Sequence, residues 1–237
     1  MNSSELKVLM ISSDRNILTP RSEVAERMKE YGQLVEELHI VLLSDSAHGL
    51  KETQLTKRVW VYPTNASSKL FRPFGAARIG KKIVFDQKFV RGRGIITAQD
   101  PFECGWAGLK VAQKWRLPLE VQLHTDPFSP YFSGFQNQVK KFLARRVIKK
   151  ANSLRVVSGY LKDQLKIVNS KLEINILPIY VNKEKIENTP ITFDLHARYP
   201  WHFVILTVSR LAPEKNLSLA IETLSLVRQH FPNTGLL

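Results

Sequence analysis

"GIITAQDPFECGWAGLKVAQKW", residues 94–115, decides the fold. Its first six residues, Gly94 to Gln99, form a compact apolar run that ends in polar residues, the pattern of a buried strand. Directly behind it Asp100 is placed to cap a helix, Pro101 suits the first helical position, and Glu103 closes a capping box. The same alternation recurs on both sides. Upstream, "LKVLMIS" (6–12) reads as a strand. "TPRSEVAERMKEYG" (19–32) then reads as a helix with Thr19 as N-cap, Pro20 at the first position and Gly32 as its stop. "ELHIVLL" (37–43) and "RVWVYP" (58–63) are further strands. Downstream come a strand in "LEVQLHT" (119–125), a helix in "QNQVKKFLARRVIKKA" (136–151) and a strand in "SLRVVS" (153–158). A helix in "GYLKDQLKIV" (159–168) and a short strand in "INILP" (174–178) complete the series. Strand alternating with helix implies an α/β domain with a mainly parallel sheet, whose ligands bind beyond the carboxyl ends of the strands.

Between 181 and 200 the stretch "VNKEKIENTPITFDLHARYP" loses periodicity and collects Pro, Asn and charge, as a linker does. "WHFVILTVS" (201–209) then starts a second α/β unit, with Asn216 as cap for "LSLAIETLSLVRQH" (217–230). The expected organisation is a Rossmann-like domain over 1–180, a linker over 181–200 and the beginning of a second domain over 201–237. One strand and one helix cannot bury both of their faces, so the second domain reads as incomplete.

At 237 residues and 43% hydrophobic content the chain has ample material for a core. A single cysteine, Cys104, rules out an intramolecular disulfide and fits a reducing compartment; its expected role is structural. The N-terminus resembles neither a signal peptide nor an anchor, and no apolar run approaches the length that spans a bilayer, so a cytoplasmic protein is expected. The 35 Lys and Arg against 21 Asp and Glu give +14, which calls for an anionic partner: nucleic acid, lipid headgroups or phosphorylated substrates.

Neither G-x-G-x-x-G nor G-x-x-x-x-G-K-[ST] occurs, so no ordinary dinucleotide or P-loop cradle is written here, and G-x-S-x-G is missing too. No Cys and His cluster has metal-ligand spacing, so no metal and no cofactor are expected. The remaining chemistry-bearing feature is "SRLAPEKN" (209–216), where Arg210 and Lys215 flank a turn between the carboxyl end of a strand and a helix N-terminus. Free backbone N–H groups, the helix dipole and two cations converge there on a place for an anion, although a solvated loop has the same spacing.

"TVSRLAPEKNLSLAIETLSLV" (207–227) closely resembles the segment that opens the second domain of family 4 glycosyltransferases of the GT-B fold, written V-G-R-L, a few residues, then E-K-G and a helix. "INILPIYVNKEKI" (174–186) is similar to that family's I-x-x-x-P-N-G-V-D interdomain segment, and "VVSGYLKDQL" (156–165) to its V-S-x-x-L-K-x-x-L. "LEVQLHTDPF" (119–128) resembles the strand that ends in a histidine near the sugar donor. The resemblance implies a GT-B-like retaining glycosyltransferase that moves a sugar from a nucleotide-sugar donor to an acceptor, lipid-linked or a cell-surface glycan precursor. It implies that Arg210 and Lys215 hold the donor diphosphate and stabilise its departure. His124 would touch the donor sugar near its reacting carbon. The leaving phosphate would assist acceptor deprotonation, which needs neither protein nucleophile nor metal.

The chain also departs from that pattern. The loop after the first strand, "SSDRNILTPRSE" (12–23), has no glycine where many relatives carry a pair, which leaves Asp14, Arg15 and Arg21 as acceptor-side or phosphate-loop candidates. V-G-R has become "VSR" and P-N-G has become "PIY". The paired glutamates that hold the donor's sugar and ribose in the family are absent, so the chain is expected to be an acceptor domain with the threshold of a donor domain.

Two stretches concentrate the positive charge. "FRPFGAARIGKKIVFDQKFVRGRG" (71–94) has Asp86 as its only acid, and "QVKKFLARRVIKKANSLR" (138–155) has none. On a helix Val139, Phe142, Leu143, Val147 and Ala151 share one face. Lys140, Lys141, Arg145 and Lys149 lie mostly away from it, as a solvated basic face or as contacts to the inner face of an anionic membrane at roughly 1 kcal/mol per cation. The alternatives are a catalytically inactive acceptor- or lipid-binding module and, through "RGRG", a nucleic-acid binder, for which no recognition signature is present.

Overall fold

The structure, a computed structural model, describes residues 5–130, 134–166 and 172–237. The chain divides into two compact units, Met1–Ile179 and Tyr180–Leu237.

The first unit is built on an eight-stranded sheet. Its strands are β1 (Lys7–Ser12), β2 (Glu37–Leu42), β3 (Thr53–Thr56), β4 (Val59–Pro63), β5 (Gly94–Ala98), β6 (Leu119–Leu123), β7 (Ser153–Val156) and β8 (Glu173–Ile176), in the spatial order β3-β4-β2-β1-β5-β6-β7-β8. All neighbours pair parallel except the edge strand β3, which runs antiparallel to β4. The expected mainly parallel α/β sheet is therefore present, and β3 is an addition to it.

Alternation along β1 assigns the two faces. Leu9 and Ile11 join Ala98, Val121 and Leu154 in one core beneath the helices α2 (Arg72–Asp86), α3 (Glu103–Trp115), α4 (Phe135–Ile148) and α5 (Gly159–Lys166). Met10 joins Ile40, Val61 and Met28 in a second core beneath α1 (Glu23–Gln33). Each Leu or Ile so buried contributes about 1.5–3 kcal/mol.

Several boundaries differ from the sequence expectation. Helix α1 starts at Glu23, capped by Ser22, whose Oγ accepts from the Ala25 N–H at 3.0 Å. Thr19 instead closes a 3-10 turn over Arg15–Leu18. Gly32 does not stop α1: it lies inside the helix, where a Cβ would sit 2.2 Å from Val59 Cγ2, so its bareness lets α1 approach β4. Helix α2 occupies the basic stretch, with Ala76, Ala77, Gly80 and Ile83 buried. In α4 the expected stripe is kept at Val147, with Ala151 just past the helix, and not at Val139 and Phe142, which are 46% and 64% exposed; Ala144 and Ile148 complete the buried face. Val147 packs closely on α3, where a Cβ on Gly105 would meet its Cγ1 at 2.9 Å. Ile167 and Val168, the last positions expected in α5, lie outside the described residues.

In the second unit the stretch expected as a linker holds two short helices, α6 (Lys183–Glu187) and α7 (Leu195–Arg198). They precede a strand–helix–strand of β9 (Phe203–Ile205), α8 (Leu217–His230) and β10 (Thr234–Leu236). The strands pair parallel, Gly235 opposite Val204. Trp201 lies against Gly235, where a Cβ would fall 1.8 Å from the indole, and stacks on Tyr199 at 5.2 Å. β10 extends the expected single strand and helix into a crossover unit.

Candidate functional site

Strand order reverses at β1, which lies between β2 and β5, and this is where a doubly wound sheet opens a crevice at its carboxyl edge. Side chains close the loop there. Ser12 Oγ donates to Gln99 Oε1 at 2.5 Å and accepts from the Asp14 N–H at 3.0 Å, which ties β1 to β5. Asp14 Oδ1 accepts from the Asn16 N–H at 3.0 Å, and Ile17 is fully buried beneath the turn. The positions where a glycine pair would leave room for a ligand are thus filled by a capped turn. Of the acceptor-side candidates, Asp14 serves as that cap. Arg15 is exposed and its guanidinium donates to the His48 ring, and Arg21 is exposed with a left-handed backbone at φ 59°.

The carboxyl end of β2 adds a rim that the sequence did not announce. Arg72 at the start of α2 donates both Nε and Nη2 to the Asp45 carboxylate, which holds that carboxyl below its ordinary range. Behind β5, Asp100 Oδ1 accepts from the N–H groups of Phe102 (2.7 Å) and Cys104 (3.2 Å), so Asp100 does cap α3, from a position before the helix proper. Burial pushes the Asp100 carboxyl up, and burial likewise raises the neighbouring Cys104 thiol, which is fully enclosed and inert.

His124 directly follows β6 and is solvent-accessible. Partial burial lowers its pKa, and the positive charges of Arg155 and Arg27 lower it further. The ring is therefore neutral at pH 7, suited to donating or accepting a hydrogen bond rather than supplying a cation. Arg155, in the middle of β7, is the residue that sequence reading missed. A charge inside a strand whose neighbours Leu154 and Val156 are buried was the signal.

In the second unit the loop after β9 runs through a 3-10 turn, Pro213–Lys215, to Asn216. Asn216 stands at the N-cap position of α8 with a left-handed backbone and no capping bond from its side chain, which corrects its expected role. An open depression of about 470 Å³ lies here, lined by Leu211, Ala212, Pro213, Asn216, Leu217 and Ser218. The α8 N-terminus faces it, and Arg210 and Lys215, both exposed, flank it without lining it. His124 belongs to the first unit and these two cations to the second.

On α4 the four membrane-contact candidates do not share one environment. Lys140 Nζ stands 5.6 Å from the Phe102 ring centroid and the Arg145 guanidinium 5.5 Å from that of Phe128, so both hold cation–π contacts. Lys141 is half-buried and Lys149 exposed. Among the described residues no helix is long and apolar enough to cross a membrane, and no three His, Cys, Asp or Glu side chains converge as metal ligands would.

No family model matches the chain, and no curated protein matches its sequence. Solved structures do match. A sucrose-phosphate synthase from Thermosynechococcus elongatus superposes with a TM-score of 0.55 at 13% identity, over 76% of this chain and 92% of that one. The UDP-GlcNAc 2-epimerase from Neisseria meningitidis bound to UDP-GlcNAc gives 0.54 at 14% identity, over 98% of this chain and 64% of that one. The lipopolysaccharide outer core galactosyltransferase WaaB in its apo form gives 0.50 at 15%, over 87% and 53%. The chain thus spans well under two thirds of the galactosyltransferase and just under two thirds of the epimerase. At these identities the likeness establishes the fold, a Rossmann-like α/β architecture of the GT-B class.

Proposed function

We propose that this protein is a nucleotide-sugar-dependent glycosyltransferase that retains anomeric configuration and works without a metal. The observation that carries the reading is the second unit's β9–α8 loop, where Arg210 and Lys215 flank a depression opening on a helix N-terminus. In the reaction the bond from the anomeric carbon to the donor phosphate breaks, and its electron pair stays on the phosphate oxygen. The two cations stabilise that charge. The acceptor hydroxyl attacks on the same face and passes its proton to the leaving phosphate. The neutral His124 ring hydrogen-bonds a hydroxyl of the donor sugar and orients it. In protein expressed from the complete reading frame, Arg210→Ala and Lys215→Ala abolish transfer with folding intact; wild-type rates in both would refute the assignment.

A sugar-nucleotide epimerase is the second reading, favoured by the neighbours that carry that name over nearly the whole chain. It predicts a changed sugar on the nucleotide with no acceptor present. A protein that binds no nucleotide sugar at all would be an acceptor-binding module.

The acceptor's setting is proposed to be the inner face of an anionic membrane. Helix α4 leaves Phe135, Val139 and Phe142 exposed in a row, with Arg146 and Lys149 beside them. That pairing of apolar insertion with positive charge suits headgroups.

A further inference from the structure

Arg155 is placed by the pleat of β7. Leu154 and Val156 face the core, so Arg155 projects to the other face, opposite Gln122 across the β6–β7 pair. A directional chain of hydrogen bonds runs from it. Arg155 Nη1 donates to Gln122 Oε1 at 3.3 Å, Gln122 Nε2 to Thr97 Oγ1 at 3.0 Å, and Thr97 Oγ1 to Glu120 Oε1 at 3.1 Å. The chain fixes the guanidinium but uses only one arm. Arg155 Nε is buried with no hydrogen-bond partner, one of two such side-chain donors among the described residues, the other being Trp115 Nε1. A buried donor left unbonded costs about 1–3 kcal/mol, so an acceptor that reaches Arg155 Nε is favoured.

His124 lies two residues beyond Gln122 on the same face, at the carboxyl edge where ligands of parallel sheets bind. Among the described residues no ion pair joins Arg155 to a carboxylate. A guanidinium held in place by one arm, with a buried donor still unspent, makes a receptor for a tetrahedral or planar oxyanion.

We infer that Arg155 holds an anionic group of the ligand, a phosphate ester, against His124 at the carboxyl ends of β6 and β7. Its identity as a phosphate of the acceptor rests on the glycosyltransferase reading, in which the donor diphosphate belongs to Arg210 and Lys215. The presence of an anion subsite in the first unit does not.

The full chain is titrated at low ionic strength with inorganic phosphate and separately with glycerol phosphate. Binding is followed by calorimetry and by the His124 ring resonances, assigned with His124→Gln. The expected result is a shift of those resonances in the wild type and an affinity lower by about tenfold in Arg155→Gln, the size of one charge-assisted bond. Arg155→Lys loses less. Tighter binding of glycerol phosphate than of phosphate supports an ester, and the reverse order overturns that part. Unchanged affinity in Arg155→Gln with an intact circular dichroism spectrum overturns the subsite, as does loss of phosphate binding only in Arg210→Ala. Phosphate bound through Arg155 in a protein that binds no nucleotide sugar would sink the functional reading and leave this subsite standing.

Discussion

Asp100 joins strand β5 to helix α3 next to the Ser12–Gln99 bond, and it carries two opposed contributions that substitution separates. Its Oδ1 satisfies two N–H groups at the start of α3, those of Phe102 and Cys104. Its charge is disfavoured, because burial raises the carboxyl above its ordinary 3.8. The sign follows from linkage. A carboxyl whose folded pKa is raised binds its proton more tightly when folded, so its contribution is fully present below 3.8 and is lost as pH rises through the folded pKa. At pH 7 the cap is therefore favourable and the charge unfavourable. Asp100→Asn keeps an acceptor oxygen and removes the charge; Asp100→Ala removes both acceptors and leaves two N–H groups unpaired. Loss of such a cap costs about 0.5–2 kcal/mol, which in a chain of this size is a Tm difference of about 1–8 °C between the Ala and Asn variants. Urea unfolding followed by tryptophan fluorescence reads this locally, since Trp106 and Trp115 both lie on α3. The expected order at pH 7 is Asn at or above the wild type and Ala below both, with unchanged slope. The advantage of Asn should shrink as pH approaches 3.8. Equal midpoints for Ala and Asn at pH 7 would refute the assignment of Asp100 as the cap of α3.

Gly32→Ala gains about 1 kcal/mol of helix propensity but forces a Cβ onto the stiff, buried Val59 side chain. The net effect is a loss of about 1–2 kcal/mol from overpacking, and a double-mutant cycle with Val59→Ala, which removes the clashing methyl, should show favourable coupling of at least about 0.5 kcal/mol. Stability should fall in two steps on acidification. The His39 and His124 pKa values are both lowered from 6.5, chiefly by burial, so their contributions are lost as pH falls below that value. In Glu37 hydrogen bonds from His39 and Lys7 outweigh burial and lower the pKa from 4.5, so its contribution goes at lower pH. Urea midpoints from pH 8 to 4 test this, and His39→Gln should flatten the first step. Charge reversal at Arg146 and Lys149 should reduce cosedimentation with anionic vesicles by about tenfold or more, whereas the same change at Lys140 and Arg145, which hold cation–π contacts, should also lower stability. Equal vesicle binding before and after reversal would remove α4 as the contact.

Legibility of the sequence followed burial. The strands of the parallel sheet were readable because each is an apolar run bounded by polar residues, and Gly94–Trp115 announced a strand feeding a helix. The start of α1 was not, because Thr19 and Ser22 are both competent caps and only tertiary folding of the 3-10 turn around Ile17 selects between them. Gly32 read as a stop because sequence cannot show that β4 approaches closely there. Helix α2 was obscured by its charges, although Ala76, Gly80 and Ile83 recur at helical spacing. The α4 face was read rightly at Val147 and Ala151 and wrongly at Val139 and Phe142, because Phe142 is large and apolar whereas the small Ala144 takes the buried position. The candidate site was half legible. The Arg210 and Lys215 loop and His124 rest on short motifs at strand ends. Arg155 comes to lie opposite Gln122 only through the pairing of β6 with β7.

The central claim is tested most directly by incubating protein from the complete reading frame with a panel of nucleotide sugars and simple or lipid-linked acceptors, and following the anomeric protons by NMR. The proposal predicts a new glycosidic linkage with the donor's anomeric configuration, formed without added metal and absent in Arg210→Ala. A C2-epimerised nucleotide sugar appearing without acceptor, or no turnover and no binding of any nucleotide sugar, would contradict it.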